Sequence, residues 1–345
     1  MSYKMSTENF DLLVKELSKS YKIYAPKRFL KAGRYSDTDI IKYDRINTAQ
    51  EIEHKEKSDY AAKEVLSPIT ETVLYFTDGD YKESRIVDER PLLVFVRACD
   101  IHSLKRYDDI YLKNGGFEDS YYKRMRERTK FILMECPTNG WDTCFCTSMG
   151  TNETSEYAFG VKISEENVLI ENKDEEFNKY FTGNEEVTFK VTPVTENNRV
   201  VRIPDIRDKE TQLAIKSLEM WKEFDKRCLM CGSCTVSCST CTCFTTYDLN
   251  YSKDTNAGER RRINASCHVN GYTDMAGDHS FRKTGGERMR FKVMHKIHDY
   301  KKRFGKENMC VGCGRCDDKC PVFISFSTTV NKLADEVDKM NGGVK

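Results

Sequence analysis

Apolar residues at the start of the chain recur with a helical period. Phe10, Leu13, Val14 and Leu17 follow Ser6 at spacings of three and four residues, which predicts an amphipathic helix with Ser6 as its N-cap. The charged segment 35–67 has few bulky apolar residues and is predicted to be a surface excursion. Six segments rich in Val, Ile, Phe and Tyr are expected to form one mixed sheet with flanking helices: 73–77, 92–97, 131–135, 157–163, 187–192 and 199–203.

The second half of the chain has no proline between Pro204 and Pro321, which favours helices. Partly periodic apolar residues in 208–224 predict a helix leading to Cys228, and those in 327–340 predict a closing helix after Ser327. We therefore predict an α+β protein with a mixed α/β domain at 1–205 and a mainly helical, ferredoxin-like domain at 206–345.

Composition and charge narrow the class of protein. Hydrophobic residues make up 39% of the 345 residues, so the chain is globular rather than disordered. The 56 basic and 55 acidic residues nearly cancel, so no overall field favours nucleic acid or an anionic membrane. The longest clean apolar run is 92–96, too short for a membrane span. The N-terminus resembles no signal or transit peptide, and we expect a cytoplasmic protein.

Cysteine dominates the candidate chemistry, with fifteen residues. The sequences CLMCGSCTVSC and CVGCGRCDDKCP both have the spacing C-x2-C-x2-C-x3-C, which is typical of two [4Fe-4S] clusters. Gly232, Gly312 and Gly314 are expected to take positive φ in these loops. In two-cluster ferredoxins the fourth cysteine of each run binds the other cluster. The predicted ligand sets are therefore Cys228, Cys231, Cys234 and Cys320 for the first cluster, and Cys310, Cys313, Cys316 and Cys238 for the second.

Other arrangements of the thiols remain open at this point. Zinc prefers two pairs of cysteines around one ion and fits three successive thiols poorly. Four N-terminal cysteines lie at or near predicted strand ends, and they either converge on a third cluster or are small buried residues: Cys99, Cys136, Cys144 and Cys146. Cys241, Cys243 and Cys267 are left over, and three thiols complete no further cluster unless another residue such as His268 contributes. We interpret them as packing or supporting residues, unless one of them replaces Cys238 as a ligand.

The segment 282–306 is strongly basic. An apolar stripe through it indicates a half-buried helix, so we interpret its charges as a solvated face or a docking patch for an acidic partner, in preference to nucleic-acid binding. His295 and His298 on this helix are read as ordinary core or surface residues. The sequence has no dinucleotide fingerprint, phosphate-binding loop, nucleophile elbow or HExxH motif, and we assign no catalytic residue.

Several stretches resemble a known family. RCLMCGSCTVSCSTCTCF, RRRINASC, RMRFKVMHKIHDY, CVGCGRCDDKCPVFISF, RACDIHSLKRYDDIYL and CFCTSMG are similar to the dicluster iron-sulfur subunits of cytoplasmic sulfhydrogenases and anaerobic sulfite reductases. The segments YKIYAPKRF and GRYSDTDIIKYDRI resemble the sulfite reductase A subunits in particular. One departure is Ser239, because the family usually has proline after the fourth cysteine of the first run.

The resemblance implies an electron-transfer subunit. It implies a third cluster at the N-terminal cysteines, a flavin partner subunit that oxidises NADH, and a siroheme partner subunit that reduces sulfite to sulfide. The equivalent subunit of a nickel-iron sulfhydrogenase is one alternative, and a protein whose clusters only stabilise its fold is another.

Overall fold

The computed structural model describes residues 1–277 and 279–342. The strands in these ranges are β1 Ser2–Ser6, β2 Lys22–Phe29, β3 Ile40–Arg45, β4 Thr70–Thr77, β5 Asp80–Glu83, β6 Leu92–Val96, β7 Thr129–Met134, β8 Phe159–Ile163, β9 Asn167–Asn172, β10 Glu185–Glu186, β11 Phe244–Asn250, β12 Gly258–Asn264, β13 Asp274–Met275 and β14 His279–Ser280. The α-helices are α1 Thr7–Ser20, α2 Lys63–Leu66, α3 Ala98–Leu112, α4 Ser120–Arg126, α5 Cys146–Met149, α6 Asn178–Phe181, α7 Lys209–Ala214, α8 Lys222–Arg227, α9 Ser233–Val236, α10 Gly285–Met294, α11 Tyr300–Phe304, α12 Arg315–Asp318 and α13 Phe326–Met340.

An eight-stranded mixed sheet forms the centre of the first half, in the order β10-β1-β9-β8-β7-β6-β2-β3. Strands β2, β6, β7 and β8 are parallel neighbours, and the outer pairs are antiparallel. Every residue of β6 is buried, as expected for a central parallel strand covered on both faces. Alternate residues separate its faces: Leu93 and Phe95 pack with α1, whereas Val94 and Val96 pack with α3.

The opening helix is confirmed. α1 begins after Ser6, whose side chain accepts a hydrogen bond from the Asn9 N–H at 3.2 Å. The closing helix is also present, but the N-cap is Ser325 instead of Ser327. The helix expected over 208–224 is divided into α7, two short 3-10 turns and α8.

The strand prediction is wrong in three places. Strand β4, predicted for the main sheet, lies in a second sheet of order β11-β12-β4-β5. Segment 187–192 and segment 199–203 form no strand. The segment 35–67 is not a surface excursion throughout, because β3 pairs with β2 and Ile41, Ile46 and Ile52 are buried.

The architecture is α+β, and contacts join the two halves. Strand β12 pairs with β4 across the long sequence separation. Phe145, Met149 and Val201 belong to the same hydrophobic cluster as Val293 and Leu333. The domain boundary at residue 205 stays a prediction. None of the helices in the two described ranges has the length and hydropathy of a membrane span.

Candidate metal centre

The first cysteine run begins where a helix ends. The Cys228 N–H closes the last turn of α8, and the Met230 N–H lies 3.4 Å from Cys228 Sγ. Gly232 has a φ of 79°, the left-handed value predicted for it, and α9 follows with Cys234 in its first turn. The loop thus turns backbone donors and three thiols toward the same side.

A first cavity lies inside this loop. Cys228, Cys231 and Cys234 line it together with Cys316 and Cys320 of the second run. The Ile324 N–H donates to Cys320 Sγ at 3.2 Å. Apolar side chains complete the lining: Leu229, Met289, Val322, Ile324 and Phe326.

A second cavity lies inside the other run. Cys310, Cys313 and Cys316 line it together with Cys238 of the first run. The Gly312 N–H lies 3.4 Å from Cys310 Sγ. The first cavity thus receives three cysteines from the first run and two from the second, and the second cavity receives three from the second run and one from the first. Cys316 lines both cavities, and these linings are compatible with crossed ligation through Cys320 and Cys238. The ligand sets themselves stay a prediction.

The N-terminal cysteines are brought together beside the second run. Cys99 lies in the first turn of α3, Cys136 follows β7, Cys146 begins α5, and Cys144 lies two residues before it. Burial, followed by the charges of Cys144 and Cys136, raises the pKa of Cys146 to about 12. Cys144 Sγ lies 3.7 Å from the Cys313 carbonyl oxygen.

Two glycines allow this close approach. Gly312 and Gly314 have φ values of 65° and 70°, as predicted, and a Cβ on either would clash with the backbone of Phe145 or Thr143. The Phe145 N–H donates to the Gly312 carbonyl at 2.8 Å. Only glycine permits both the backbone conformation and this stacking of two cysteine loops.

A buried ion pair fixes the same junction from the other side. Arg315, between two cysteines of the second run, places its Nη1 2.7 Å from Asp100 Oδ1, and both side chains are almost fully buried. Its Nε also donates to the Ser58 carbonyl at 3.0 Å. Asp100 directly follows Cys99, so this pair ties the N-terminal cysteines to the second run.

The three leftover thiols lie at the base of the β11–β12 hairpin. The Cys243 thiol contacts the thiols of Cys241 and Cys267 and the hydroxyl of Tyr272. None of the three thiols lines either cavity. Their interpretation as packing residues stays a prediction.

Two buried lysines at the cavities were not anticipated from the sequence. Lys292 on α10 lines both cavities, and its Nζ donates to the Cys234 carbonyl at 3.3 Å. Lys296, one turn later, lines the second cavity and donates to the Thr240 carbonyl at 2.7 Å. The interpretation of the basic segment as a solvated face is wrong for these residues. The sequence signal for their burial was their spacing of four residues on a helix that carries an apolar stripe.

The two ammonium groups lie among cysteine side chains. Burial works against protonation of Lys292, but the negative charges of Cys234, Cys316 and Cys238 outweigh it and raise the pKa of the ammonium well above its ordinary value. Burial also works against protonation of Lys296, but the negative charges of cysteines, chiefly Cys238, outweigh it and raise the pKa of this ammonium. In the described part of the chain neither ammonium pairs with an Asp or Glu, and their hydrogen-bond partners are uncharged.

His268 adds an unsatisfied polar atom at the first cavity. It is 1% exposed and lines this cavity, and its Nε2 has no hydrogen-bond partner among the described residues. Burial, followed by the charges of Lys292 and Arg288, lowers the pKa of His268 to about 3, so the ring is neutral. Its Nδ1 lies 3.6 Å from Cys267 Sγ.

These features fit an anionic cluster in each cavity. A buried ammonium without a counterion costs several kcal/mol, and an iron-sulfur cluster with four thiolates supplies the missing negative charge. Its sulfur atoms also give the His268 imidazole an acceptor. Residues 1–277 and 279–342 contain no group of three or more His, Cys, Asp or Glu side chains that is close enough together to hold a single metal ion. Thiols spread around a cavity suit a four-iron cube better than one zinc ion.

Comparison with known proteins gives the same chemistry. Residues 227–324 match the family model described as a 4Fe-4S dicluster domain. Residues 227–324 are thus a 4Fe-4S dicluster domain, and the chain is an iron-sulfur electron-transfer protein. It is 27% identical over 348 residues to sulfhydrogenase 2 subunit beta of Pyrococcus furiosus, in an alignment that covers 97% of both chains. No solved structure matches the chain.

Proposed function

We propose that this chain is the electron-transfer subunit of a cytoplasmic anaerobic sulfite reductase. It would take electrons from a flavin subunit that oxidises NADH and pass them to a siroheme subunit that reduces sulfite to sulfide. The segments YKIYAPKRF and GRYSDTDIIKYDRI support the choice of sulfite reductase through their resemblance to its A subunits.

The observation that carries the relay function is a continuous series of three cysteine sets. The first and second cavities share Cys316, Lys292 and Phe326 in their linings. The second cavity adjoins the N-terminal set, since Cys144 contacts the Cys313 carbonyl. We propose three [4Fe-4S] sites. The two cavities are the sites of a domain at 206–345, and the N-terminal set is the site of a domain at 1–205.

Both ends of this series reach the surface. Cys231 of the first set is exposed. At the other end, Cys136 is half-buried and lines an open groove of about 640 Å³. Access to the first set at the surface and to the N-terminal set through this groove would let one partner donate electrons and another accept them.

The chain's own residues would hold the clusters in cavities with largely apolar linings. Each bound [4Fe-4S] cluster supplies reversible one-electron transfer. The apolar linings keep solvent out, the lysines balance negative charge, and the glycine loops bring the sets close together. We assign the chemistry on sulfite to the partner subunit.

The test compares the isolated chain with the assembled complex. Dithionite should bleach the visible absorbance of the anaerobically purified chain, and subsequent addition of sulfite should give no catalytic sulfide. Addition of both partner subunits should give sulfide formation that depends on NADH. Sustained sulfide production by the isolated chain would contradict the proposal.

The equivalent subunit of a sulfhydrogenase is the second candidate, because the relative from Pyrococcus furiosus carries that name. The cofactors of the co-purifying subunits distinguish the two. A siroheme subunit supports the sulfite reductase, whereas a nickel subunit with hydrogen turnover supports the sulfhydrogenase.

A further inference from the structure

The position of Lys292 between the two cavities has a consequence for redox chemistry. It is 3% exposed, and its Nζ lies 5.3 Å from the centroid of Phe326, which itself lines both cavities. Lys296 is 6% exposed and lines only the second cavity. The same helical face therefore presents one positive charge to both sites and another to one site.

A fixed positive charge near a cluster changes the relative stability of its oxidised and reduced forms. A cluster with four thiolate ligands is an anion, and reduction adds one negative charge. A buried ammonium stabilises the reduced form more than the oxidised form, because the interaction grows with the charge of the anion. The apolar linings reduce solvent screening of this interaction.

We propose that Lys292 is a charge common to the first and second clusters that raises the reduction potential of both, while Lys296 raises that of the second cluster. This proposal rests on the proposed binding of clusters in both cavities. The two lysines would act on electron transfer through their charges. Their effects on the two reduction potentials can be separated by substituting one lysine at a time.

The charge can be separated from the hydrogen bond by choice of substitution. Lys292→Gln removes the charge and keeps a donor for the Cys234 carbonyl, whereas Lys292→Arg keeps both. Lys332→Gln is the matched control, because Lys332 is exposed and pairs with Glu223 at 2.7 Å. Cys231→Ser and Cys310→Ser assign the spectroscopic signals of the two clusters.

The measurement is a reductive titration of the full chain followed by electron paramagnetic resonance, after iron and sulfide have been quantified. A charge about 10 Å from a cluster at an effective dielectric constant of about 20 changes the ratio of reduced to oxidised cluster on the order of tenfold. Tenfold corresponds to about 59 mV for one electron. Lys292→Gln should lower both potentials by about this amount, Lys296→Gln should lower the second, and Lys292→Arg and Lys332→Gln should leave both unchanged.

Three results would overturn the proposal: a shift in one cluster alone for Lys292→Gln, no shift in either, or equal shifts in the Gln and Arg variants. If Lys292→Gln binds no clusters, Lys292→Arg decides. Normal cluster content and unchanged potentials in Lys292→Arg would support a requirement for the positive charge. Failure of Lys292→Arg to bind clusters would contradict that requirement. Absence of clusters from the unsubstituted chain would instead refute the proposed function.

Discussion

At the scale of single residues, Cys320 gives the sharpest test of crossed ligation. It is the last cysteine of the second run but lines the first cavity with Cys228, Cys231 and Cys234. Cys320→Ser should therefore perturb the first cluster and leave the second intact, as measured by iron content and electron paramagnetic resonance. Loss of the second cluster's signal, with the first retained, would show that each run binds its own cluster.

His268 makes a second prediction at this scale. Its side chain lines the first cavity, and its Nε2 has no hydrogen-bond partner among the described residues, so it is available to donate a hydrogen bond that would stabilise the reduced cluster. His268→Phe should lower the potential of the first cluster without changing that of the second. His268→Gln, which keeps a donor, should lie between Phe and the unsubstituted chain. Equal potentials in all three proteins would exclude this hydrogen bond.

The cysteines could be predicted from the sequence because their spacing is local, and a short loop fixes which thiols can face one cluster. The buried lysines and His268 could not be predicted in the same way. Lys292 is buried only because two distant cysteine runs meet beside α10, and the usual rule places lysine in solvent. A charge next to an anionic cluster breaks that rule for a physical reason.

At the scale of structural elements, Gly314 controls the contact between two cysteine loops. Gly314→Ala combines an unfavourable φ with a clash against Thr143, so it should cost about 1–3 kcal/mol or more of folding free energy and disturb the N-terminal cysteines. Gly305→Ala is the control, since Gly305 has a φ of 65° and no neighbouring atoms within 4 Å of an added Cβ. Chemical denaturation and iron content measure both effects, and equal losses in the two variants would contradict the role of the loop contact.

The helical segment around His295 should make stability depend on pH. Burial, followed by Lys296 and Arg282, lowers the pKa of His295 to about 3, below the ordinary value of about 6.5. The unfolded chain binds a proton that the folded chain does not between these values, so stability is full above about pH 6.5 and falls as the pH decreases. When the pH is lowered from about 7.5 to about 5.5, the free energy of unfolding of His295→Phe should decrease less than that of the unsubstituted chain. Chemical denaturation at each pH measures this. His279→Phe, at an exposed site, should behave like the unsubstituted chain. An unchanged pH dependence in His295→Phe would contradict this.

The success of the element predictions follows the range of the interactions. The helix α1 is amphipathic and capped within its own sequence, so its pattern was sufficient. The strand β11 is exposed at every residue and has no apolar alternation, and it forms through pairing with β12. The segment 199–203 has strand-forming residues but finds no partner strand. Pairing between distant segments decides such cases.

At the scale of the whole molecule, we propose three cysteine sets in series between two parts of the surface. The contacts that hold them in series are the Arg315–Asp100 ion pair and the Gly312–Phe145 backbone hydrogen bond. Both join the N-terminal part of the chain to the second run. The order of the sets therefore depends on the docking of the two halves, which the cysteine spacing alone does not contain.

The most direct test of this account is the metal content of the anaerobically purified full chain. Three [4Fe-4S] clusters correspond to about 12 iron atoms and about 12 acid-labile sulfide ions per chain. We expect these values, together with loss of about four iron atoms when Cys136 and Cys146 are replaced by serine. About eight iron atoms in a fully reconstituted sample would remove the N-terminal set from the series, and zinc in place of iron would contradict the account as a whole.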